Sequence, residues 1–294
     1  MNIRHLKCFL VLAEELNFTR AAERLHIEPS PLSRTIKELE SELGVLLFKR
    51  DRRGTCLTYP GTVFFTEVKR VFVTLDNARQ SVQAAASGYR STLRIALSDG
   101  AAVPHLAAIL AHFRADLPDI VIRATEVPLF EQLLGLRNEV FDVGLSRSKD
   151  VGDSIIAKPI WRDSLVATLP ARHPLLAYQK IPLNELLHYP LVMSHPELHA
   201  GYNQQVRHIL RSADTELSVA EHVTSMDMLL TLVAAGYGLG LVPLSHLEIS
   251  NHPQVVVRSL DIECSALTTY LLTPATKPTP QLTAFIEYVL ETVK

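Results

Sequence analysis

Apolar residues at helical spacing mark the stretch from Asn17 to Leu47 and predict two short helices joined by a tight turn. Ala21 and Ala22 are small enough to let the two helices cross closely, and Leu25 and Ile27 carry the apolar face into the turn. A second helix follows, with one apolar stripe at spacings of four, three and four residues: Leu32, Ile36, Leu39 and Leu43.

The opposite face of this second helix is polar and carries Ser33, Arg34 and Lys37. Short hydroxyls and cations at the N-terminal end of a packed helix suit the major groove of DNA. An ordinary helical hairpin inside an enzyme shares the same periodicity, so the helix pair by itself leaves both interpretations open.

A cluster of positive charge follows the helix pair. Residues 48–53 contain four cations, after which Gly54 allows a turn and Leu57 and Thr58 resume an extended pattern. This order predicts a β-wing whose arginines contact phosphates or enter the minor groove, with a solvated basic loop as the alternative. The candidate DNA-binding residues are Thr19, Arg20, Ser30, Pro31, Ser33, Arg34, Lys37, Arg52 and Arg53.

The chain from Gly61 to about Gly88 contains no proline and predicts one long helix. Its apolar residues are spaced by threes and fours: Phe64, Phe65, Val68, Val71, Phe72, Leu75, Ala78 and Val82. A matching helix from a second copy would cover this stripe and form a two-stranded coiled coil. Packing against its own domain is the alternative. Residues 87–91 then end the helix and predict a hinge.

Strand and helix patterns alternate from residue 91 onward. The predicted strands are Leu93–Leu97, Ile120–Val127, Phe141–Leu145, Leu165–Leu169, Leu191–Ser194, Gly240–Pro243 and Thr269–Leu272. The predicted helices are Val103–Ala115, Phe130–Asn138, Gly201–Arg211, Met226–Ala235 and Gln281–Val293. This alternation favours an α/β architecture with mainly parallel sheets.

Composition fits a chain of more than one domain. The 294 residues are 47% hydrophobic, which is ample for a sizeable core, and the formal net charge is −2. Residues 1–90 hold 14 Lys and Arg against 10 Asp and Glu, whereas the remainder holds 15 against 21. A mildly basic N-terminal part joined to an acidic body suits sequence-selective DNA binding with a modest electrostatic contribution.

The three cysteines, Cys8, Cys56 and Cys264, are far apart in the chain. They predict neither a disulfide framework nor a zinc site, and they suit a reducing cytoplasm. The apolar N-terminal stretch runs into acidic residues and has no small-residue cleavage site, so it predicts a first helix and not a signal peptide. No apolar run reaches the length of a membrane span.

Taken together, these residues resemble the LysR-type transcriptional regulators, and the likeness covers essentially the whole chain. The matching segments are Phe9–Glu14, Phe18–Ala22, Leu32–Arg34, Ile36–Glu40, Leu43–Phe48 and Leu57–Thr58. Glu28-Pro29 departs from the Ser-Gln pair that usually enters the recognition helix, and Tyr59-Pro60-Gly61 departs from the usual acidic-small-Gly. Loss of that glutamine removes a common base-edge contact, so we expect a different operator preference.

The resemblance implies a winged helix-turn-helix domain with an all-α core at residues 1–58 and a linker and dimerisation helix at 59–90. Residues 91–294 would form an α/β effector-binding domain, similar to periplasmic binding proteins, with two subdomains. Subdomain I is expected at about 91–161 and 267–294, and subdomain II at about 162–266. The chain would cross between them near Ile160–Asp163 and Ser265–Thr268 and return its last helix to subdomain I.

The implied function is that of a cytoplasmic, ligand-responsive transcription regulator. A homodimer, and a homotetramer built as a dimer of dimers, would bind a double-stranded DNA operator that is an interrupted inverted repeat. Effector binding would change the relative pose of the subdomains and so the spacing and bending of the operator. RNA polymerase would be a further partner of an activator. No cofactor, metal ion, membrane or enzymatic activity is expected.

Ligands of two-lobed α/β folds bind in the cleft beyond the carboxyl ends of the strands, and the resemblance places the effector there. The Ser98 hydroxyl and the backbone N–H groups after it are suited to a carboxylate, although Ser98 and Ser225 could equally be helix caps. The candidate effector-binding residues are Ser98, Asp99, Gly100, Ala101, Pro128, Arg147, Ser194, His195, Tyr202, Thr224 and Ser225.

Three segments, 126–128, 142–147 and 232–236, are similar to the branch of the family that controls the degradation of aromatic compounds. Members of that branch respond to small carboxylates such as muconates and benzoates. Arg147 would favour such an anion, aromatic or dicarboxylic, with a surface salt bridge as its alternative role. The branch favours Ser or Thr where Pro128 stands.

Other patterns point away from catalysis. Residues 236–240 are rich in glycine, but they follow a helix and enter a strand, the reverse of a phosphate-binding loop. Pro196 between His195 and His199 disfavours the single helix face that a metal pair needs. A two-lobed solute-binding protein and a two-lobed enzyme such as a lyase or dehydratase remain as alternatives. The DNA-binding unit and the missing export signal disfavour the first, and no nucleophile motif supports the second.

Overall fold

The computed structural model describes residues 1–51, 54–86, 88–101, 104–211, 217–250, 252–262 and 265–291. The chain forms two compact units, Met1–Val82 and Gln83–Lys294. The elements of the first unit are α1 Ile3–Glu15, α2 Phe18–Leu25, α3 Pro29–Leu43, β1 Phe48–Asp51, β2 Gly54–Leu57 and, up to Val82, the helix α4 Tyr59–Ala86. The predicted helix pair, β-wing and long helix are therefore confirmed.

The core of the first unit lies where α1, α2 and α3 meet. Ala21 and Ala22 are almost completely buried, as a close helix crossing requires, and the apolar stripe of α3 faces the same core. The ring of Phe9 lies 5.4 Å from that of Phe48, so α1 also packs against the start of β1. This packing holds the polar face of α3 outward.

Helix α4 divides its apolar stripe between two environments. In its first half, the ring of Phe64 lies 4.8 Å from that of Phe9, and Val68 is buried in the core of the first unit. In its second half, Leu75 and Val82 are 46% and 70% exposed, and Val71, shortly before it, is 46% exposed. The alternative that α4 packs against its own domain is therefore correct for the first half of the helix. The second half has an apolar face that the described first unit does not cover.

The second unit alternates strands and helices, with a short 3₁₀ turn at Pro174–Ala177. Its first elements are β3 Ser91–Leu97, α5 Pro104–Asp116, β4 Ile120–Glu126, α6 Leu129–Arg137, β5 Val143–Ser146, β6 Ile155–Pro170, β7 Lys180–Pro182 and α7 Leu183–Leu187. They are followed by β8 Leu191–Ser194, α8 Ala200–Leu210, β9 Val219–Val223, α9 Met226–Ala234, β10 Leu239–Pro243, α10 Leu244–Leu247, β11 Val255–Asp261, β12 Ala266–Pro274 and α11 Pro280–Glu291.

Two parallel groups of strands build two subdomains. Subdomain I contains β3 between β4 and β5, parallel to both, and subdomain II contains β8 between β9 and β10, also parallel to both. Strands β6 and β12 connect them and pair antiparallel over Ile155–Ser164. From Leu165 onward, β6 pairs with β10 and β11 instead. The prediction of mainly parallel sheets holds within each group, but β6 and β12 pair antiparallel with each other and with their neighbours β10, β11 and β5.

Each subdomain has its own core, and α11 packs in that of subdomain I. Its buried residues Leu282, Phe285 and Val289 join Leu93 and Ile95 of β3. The ring of Phe285 lies 5.7 Å from that of Phe113 on α5. The last helix therefore returns to subdomain I, as the resemblance implied. No helix within the described ranges is long and apolar enough to cross a membrane.

Candidate functional site

The polar face of α3 is open to solvent. Ser30, Pro31, Arg34 and Lys37 are exposed and Ser33 is half-buried, whereas Leu32 and its stripe on the other side are buried. The Arg34 side chain is 83% exposed, and its Nε lies 3.1 Å from Glu38 Oε1 one turn further along the helix. Because this ion pair is exposed, it stabilises the helix only slightly, and Arg34 can leave Glu38 for a phosphate or a base edge at little cost in free energy.

The start of α3 offers few backbone donors. Glu28 is the N-cap residue, and its side chain makes no capping hydrogen bond. Pro29 and Pro31 carry no N–H group, so within the first three helical residues only Ser30 provides a backbone donor. The departure from the family's Ser-Gln pair thus changes the backbone chemistry of this end as well as its side chains.

Thr19 and Arg20 lie in the first turn of α2, and both are exposed. Asn17 Oδ1 accepts hydrogen bonds from their backbone N–H groups at 2.9 and 3.1 Å. Arg20 Nη2 donates to Glu15 O at 2.8 Å, which holds the guanidinium beside the end of α1. The other two predicted DNA-binding residues, Arg52 and Arg53, lie outside the described residues.

Hydrogen bonds fix the ends of the wing relative to α3. Glu40 Oε1 accepts from Leu47 N at 2.8 Å and from Phe48 N at 3.1 Å. After β2, Thr58 Oγ1 donates to Leu46 O at 2.7 Å and accepts from Gly61 N at 3.0 Å. A Cβ atom on Gly61 would lie 2.0 Å from Leu47 O, so this glycine is required by the close approach of α4.

In the second unit, the predicted effector residues divide by exposure. Ser98, Asp99, Ala101, Arg147, Ser194 and Tyr202 are buried; Gly100, Pro128 and His195 are half-buried; Thr224 and Ser225 are exposed. Ser225 Oγ accepts from Met228 N at 3.2 Å, so this hydroxyl caps α9, which was its alternative role. Ser98 is no cap of α5, because that helix begins only at Pro104.

Asp99 is the centre of a buried hydrogen-bond network between the subdomains. Its Oδ1 accepts from Gly201 N, in the first turn of α8, at 3.0 Å. Its Oδ2 accepts from Ser146 Oγ at 2.8 Å and from Arg147 N at 3.3 Å, and lies 3.2 Å from Ser98 Oγ. Asp99 adopts a left-handed backbone conformation, φ +60°, which the dense hydrogen bonding of its side chain stabilises.

Arg147 extends this network to the crossing strand β6. Its Nη2 lies 3.3 Å from Asp163 Oδ2, and Asp163 Oδ1 accepts from Ser245 N, in α10, at 3.2 Å. The side chain of Arg147 is only 2% exposed, and its Nε and Nη1 have no hydrogen-bond partner among the described residues. Burial lowers the pKa of Arg147, and the neighbouring Asp163 carboxylate opposes that shift. Two buried donors therefore lack acceptors.

Tyr202 lies directly behind this network. Its hydroxyl donates to Leu241 O at 2.6 Å, and complete burial raises its pKa, an effect that the nearby Arg147 charge opposes. The side chain is therefore neutral near pH 7, and its one proton is used by the backbone of β10.

The loops of subdomain II are held mainly by local bonds. Ser194 Oγ accepts from Asn203 Nδ2 at 2.9 Å, and His195 Nδ1 accepts from Glu197 N at 3.3 Å. His199 Nε2 lies 3.1 Å from Thr224 O, linking the loops before α8 and α9. In the part of the chain that the structure describes, no three His, Cys, Asp or Glu residues are grouped to hold a metal ion.

Several residues that shape the site carried no signal in the sequence. Gln132 is fully buried, and its Nε2 donates to Ala96 O and Leu145 O at 2.8 and 2.9 Å. Gln205 bonds to both backbone groups of Thr268, which ties α8 to β12. Asp163 and Ser245 were also not predicted. These side chains act through partners that are distant in sequence.

A groove of about 1170 Å³ runs beside α8 and β12. Its lining includes three cationic residues, Lys149, Arg207 and Arg211, and one anionic residue, Asp261. Arg147 is the one predicted effector residue among its described lining residues. The groove therefore meets the predicted effector residues only at Arg147, and its other described lining residues were not predicted.

Comparison with known proteins agrees with this architecture. Residues 3–62 match the family model of bacterial regulatory helix-turn-helix proteins of the lysR family, and residues 86–294 match that of the LysR substrate binding domain. The regulator CatR of Pseudomonas putida is 32% identical over 83% of each chain. HcaR, the Hca operon transcriptional activator of Escherichia coli K12, is 28% identical over 99% of this chain and 98% of its own.

Solved structures show the same fold along the whole chain. The crystal structure of CbnR, a LysR family transcriptional regulator, has a TM-score of 0.81 at 24% identity and covers 100% of both chains. The chain therefore belongs to the LysR family of DNA-binding transcriptional regulators, and not to a family of enzymes. Regulators of this family bind DNA operators and small-molecule effectors, which disfavours the solute-binding and enzyme alternatives.

Proposed function

We propose that the chain binds an interrupted inverted-repeat operator through the exposed face of α3, the start of α2 and the wing. The observation that carries this proposal is the orientation of α3, whose cations Arg34 and Lys37 face solvent while its apolar stripe is buried. CbnR, of the same fold, has been crystallised with its target DNA. The contacting residues would be Thr19, Arg20, Ser30, Pro31, Ser33, Arg34, Lys37, Arg52 and Arg53.

We further propose that a small effector binds between the subdomains, near the loops that follow β3, β4, β5, β8 and β9. The two unpartnered donors of Arg147 support this position, because buried N–H groups without acceptors are rare and costly. A small aromatic molecule fits the similarity to the aromatic-degradation branch, with a dicarboxylic anion as the other class. The contacting residues would be Ser98, Asp99, Gly100, Ala101, Pro128, Arg147, Ser194, His195, Tyr202, Thr224 and Ser225.

The assembly we propose is a homodimer through α4 and a dimer of dimers on DNA. The exposed residues Val71, Leu75 and Val82 support a helix–helix contact between two copies. The domain boundaries we propose are residues 58/59 and 90/91. A cytoplasmic location and, for an activator, a contact with RNA polymerase complete the proposal.

The first experiment is a gel shift with the DNA upstream of the chain's own gene, with random DNA of equal length as competitor. Selective retention of the upstream DNA is the expected result and would supply an operator for effector screening. Binding no tighter than to random DNA would reject that target. Genome-wide selection of bound fragments would then decide whether another operator exists or whether the chain lacks sequence preference.

A further inference from the structure

We propose that Asp99 is itself the anion of the effector cleft, and that the effector presents a neutral hydrogen-bond acceptor, not a carboxylate, to Arg147. This inference rests on the proposed function, in that it takes the cleft between the subdomains as the effector site. It narrows the effector of the proposed function to neutral molecules, because aromatic and dicarboxylic carboxylates would both be excluded.

The position at which an anion would bind α8 is already filled. The N-terminus of this 11-residue helix carries partial positive charge and favours a negative group. Asp99 Oδ1 takes that place at 3.0 Å from Gly201 N, and the carboxylate is 2% exposed. A Cβ atom on Gly201 would lie only 2.5 Å from Asp99 Oδ2, so no room remains for a second carboxylate there.

The charges around Arg147 also disfavour an incoming anion. The guanidinium bonds to Asp163, and the Asp99 carboxylate is close enough to act on it electrostatically. Tyr202, the remaining group that acts on Arg147, stays protonated near pH 7 because its burial raises its pKa. One cation between two carboxylates gives a net charge of about −1, and adding another buried negative charge without a partner is costly.

The unpartnered donors of Arg147 nevertheless require an acceptor. Nε–H and Nη1–H are buried and have no acceptor among the described residues. These two N–H groups point to different sides of the guanidinium, so a carbonyl or hydroxyl oxygen of the effector would accept from one of them. It would add no charge and would remove the cost of leaving that donor unpaired. Asp99 fills the anion position at the N-terminus of α8, the groups around Arg147 carry a net negative charge, and Arg147 has unpartnered N–H groups. Together these three features favour an effector with a neutral hydrogen-bond acceptor.

Benzamide and benzoate test this selection, because they share one ring and nearly one shape and differ in charge. Binding is followed by the fluorescence of Trp161, the single tryptophan of the chain, which lies on β6 two residues before Asp163. We expect benzamide to bind the intact protein at least about tenfold more tightly than benzoate, the size expected for one partly screened charge. Removing that charge by Asp99→Asn should bring the two affinities together.

A second variant and a matched control allow the test to succeed even if the Asp99→Asn variant does not fold. Asp163→Asn removes the other carboxylate and should move the affinity ratio in the same direction. Asp150→Asn is the control, because the exposed Asp150 carboxylate accepts from Gln204 Nε2 of α8 at 2.7 Å but lies outside the buried network. Its ratio should equal that of the unchanged protein. Thermal unfolding checks that each variant is folded.

Three outcomes would overturn the inference. The first is benzoate binding as tightly as benzamide, with a ratio that neither Asp99→Asn nor Asp163→Asn changes; the anion would then sit elsewhere, as in the basic groove beside α8. The second is a ratio that changes equally in Asp150→Asn. The third is an intact protein that binds neither probe at millimolar concentration.

A gel shift with both probes tests the proposed function separately. If benzamide binds more tightly than benzoate but does not change the operator complex, the proposed coupling between effector and operator is rejected, whereas the inference about the effector's charge is not.

Discussion

At the scale of single residues, Gly201 determines how closely α8 approaches the loops of subdomain I. A Cβ atom there would lie 2.5 Å from Asp99 Oδ2 and 2.7 Å from Ser148 N. Ser148 N is backbone, and Asp99 is held by hydrogen bonds to both subdomains, so neither atom can move away alone. The contact between Asp99 and α8 therefore depends on glycine at this position.

Gly201→Ala should force the subdomains apart and destabilise the second unit. We expect a loss of about 1–3 kcal/mol, as for other overpacked sites, seen as a lower thermal midpoint in Trp161 fluorescence. Arg207→Ala, on the exposed face of the same helix, is the control and should change stability by no more than about 0.5 kcal/mol. Equal midpoints for the two variants would show that the close approach is not rigid.

Arg34 is the residue of α3 for which base recognition can be separated from phosphate binding. Arg34→Ala should weaken operator binding by about 1–3 kcal/mol if the guanidinium contacts a base, and binding to random DNA much less. Gel shifts at fixed salt measure both affinities. Equal losses on the two DNAs would make Arg34 a phosphate contact.

The Arg34 experiment needs a control for the ion pair within the helix. Arg34 pairs with Glu38 at 3.1 Å, so the alanine variant also removes a contact that stabilises α3 slightly. Glu38→Gln removes the same ion pair but leaves the guanidinium free for DNA. Its operator affinity should be unchanged or higher, and a loss as large as that of Arg34→Ala would point to helix stability instead.

The sequence predicted Asp99 and Arg147 as effector-binding residues, and that role stays a prediction; the structure shows that both belong to one buried hydrogen-bond network. Local strand–loop patterns place both residues at the carboxyl ends of strands, which is why they could be found. The partner of Asp99 is Gly201, 102 residues further along the chain, and that of Arg147 is Asp163 on the crossing strand. Such tertiary pairs leave no periodic signal, so the hydrogen-bond partners of these two residues could not be predicted from the sequence.

At the scale of elements, long periodic segments were predictable and short exposed ones were not. The helices α2, α3 and α4 and the strands β3 and β8 follow from repeated apolar positions. Strands β7, β9 and β11 were missed. β7 has three residues, β9 is mostly exposed and lacks clear alternation, and β11 has seven residues that are mostly half-buried without alternation. The sixteen-residue β6 was predicted only in its last part, because its earlier residues alternate too weakly to predict a strand.

Helix α4 provides a prediction at this scale. Leu75 is 46% exposed on the second half of the helix, where nothing in the described first unit covers it. Leu75→Asp should therefore leave the fold of that unit intact but place a charge in the proposed helix–helix contact. Analytical ultracentrifugation should show a dimer that dissociates at least about tenfold more readily, and operator binding should weaken with it.

Thr74→Asp adds the same charge at the neighbouring exposed position and is the control for Leu75→Asp. It lies one residue away on the helix and so about 100° around its axis, away from the stripe. Dissociation should be unchanged in this variant. If both variants dissociate alike, or neither does, the second half of α4 is not the dimer contact.

At the scale of the whole molecule, the two compact units must communicate if an effector is to change operator binding. Any such coupling is a free energy shared by two sites, and it acts equally in both directions. An effector that changes operator affinity by some factor must have its own affinity changed by the operator by the same factor. The requirement holds whatever the path between the units.

Trp161 allows this reciprocity to be measured, because it lies in the second unit while the operator binds the first. The affinity of an effector, or of benzamide as a probe, is titrated by Trp161 fluorescence without DNA and again with saturating operator. We expect the ratio of the two affinities to equal the ratio of operator affinities from gel shifts with and without that ligand. Random DNA at the same concentration should leave the titration unchanged. A gel shift that responds to the ligand while the Trp161 titration ignores the operator would place the effect at another site, because linkage forbids a one-way coupling.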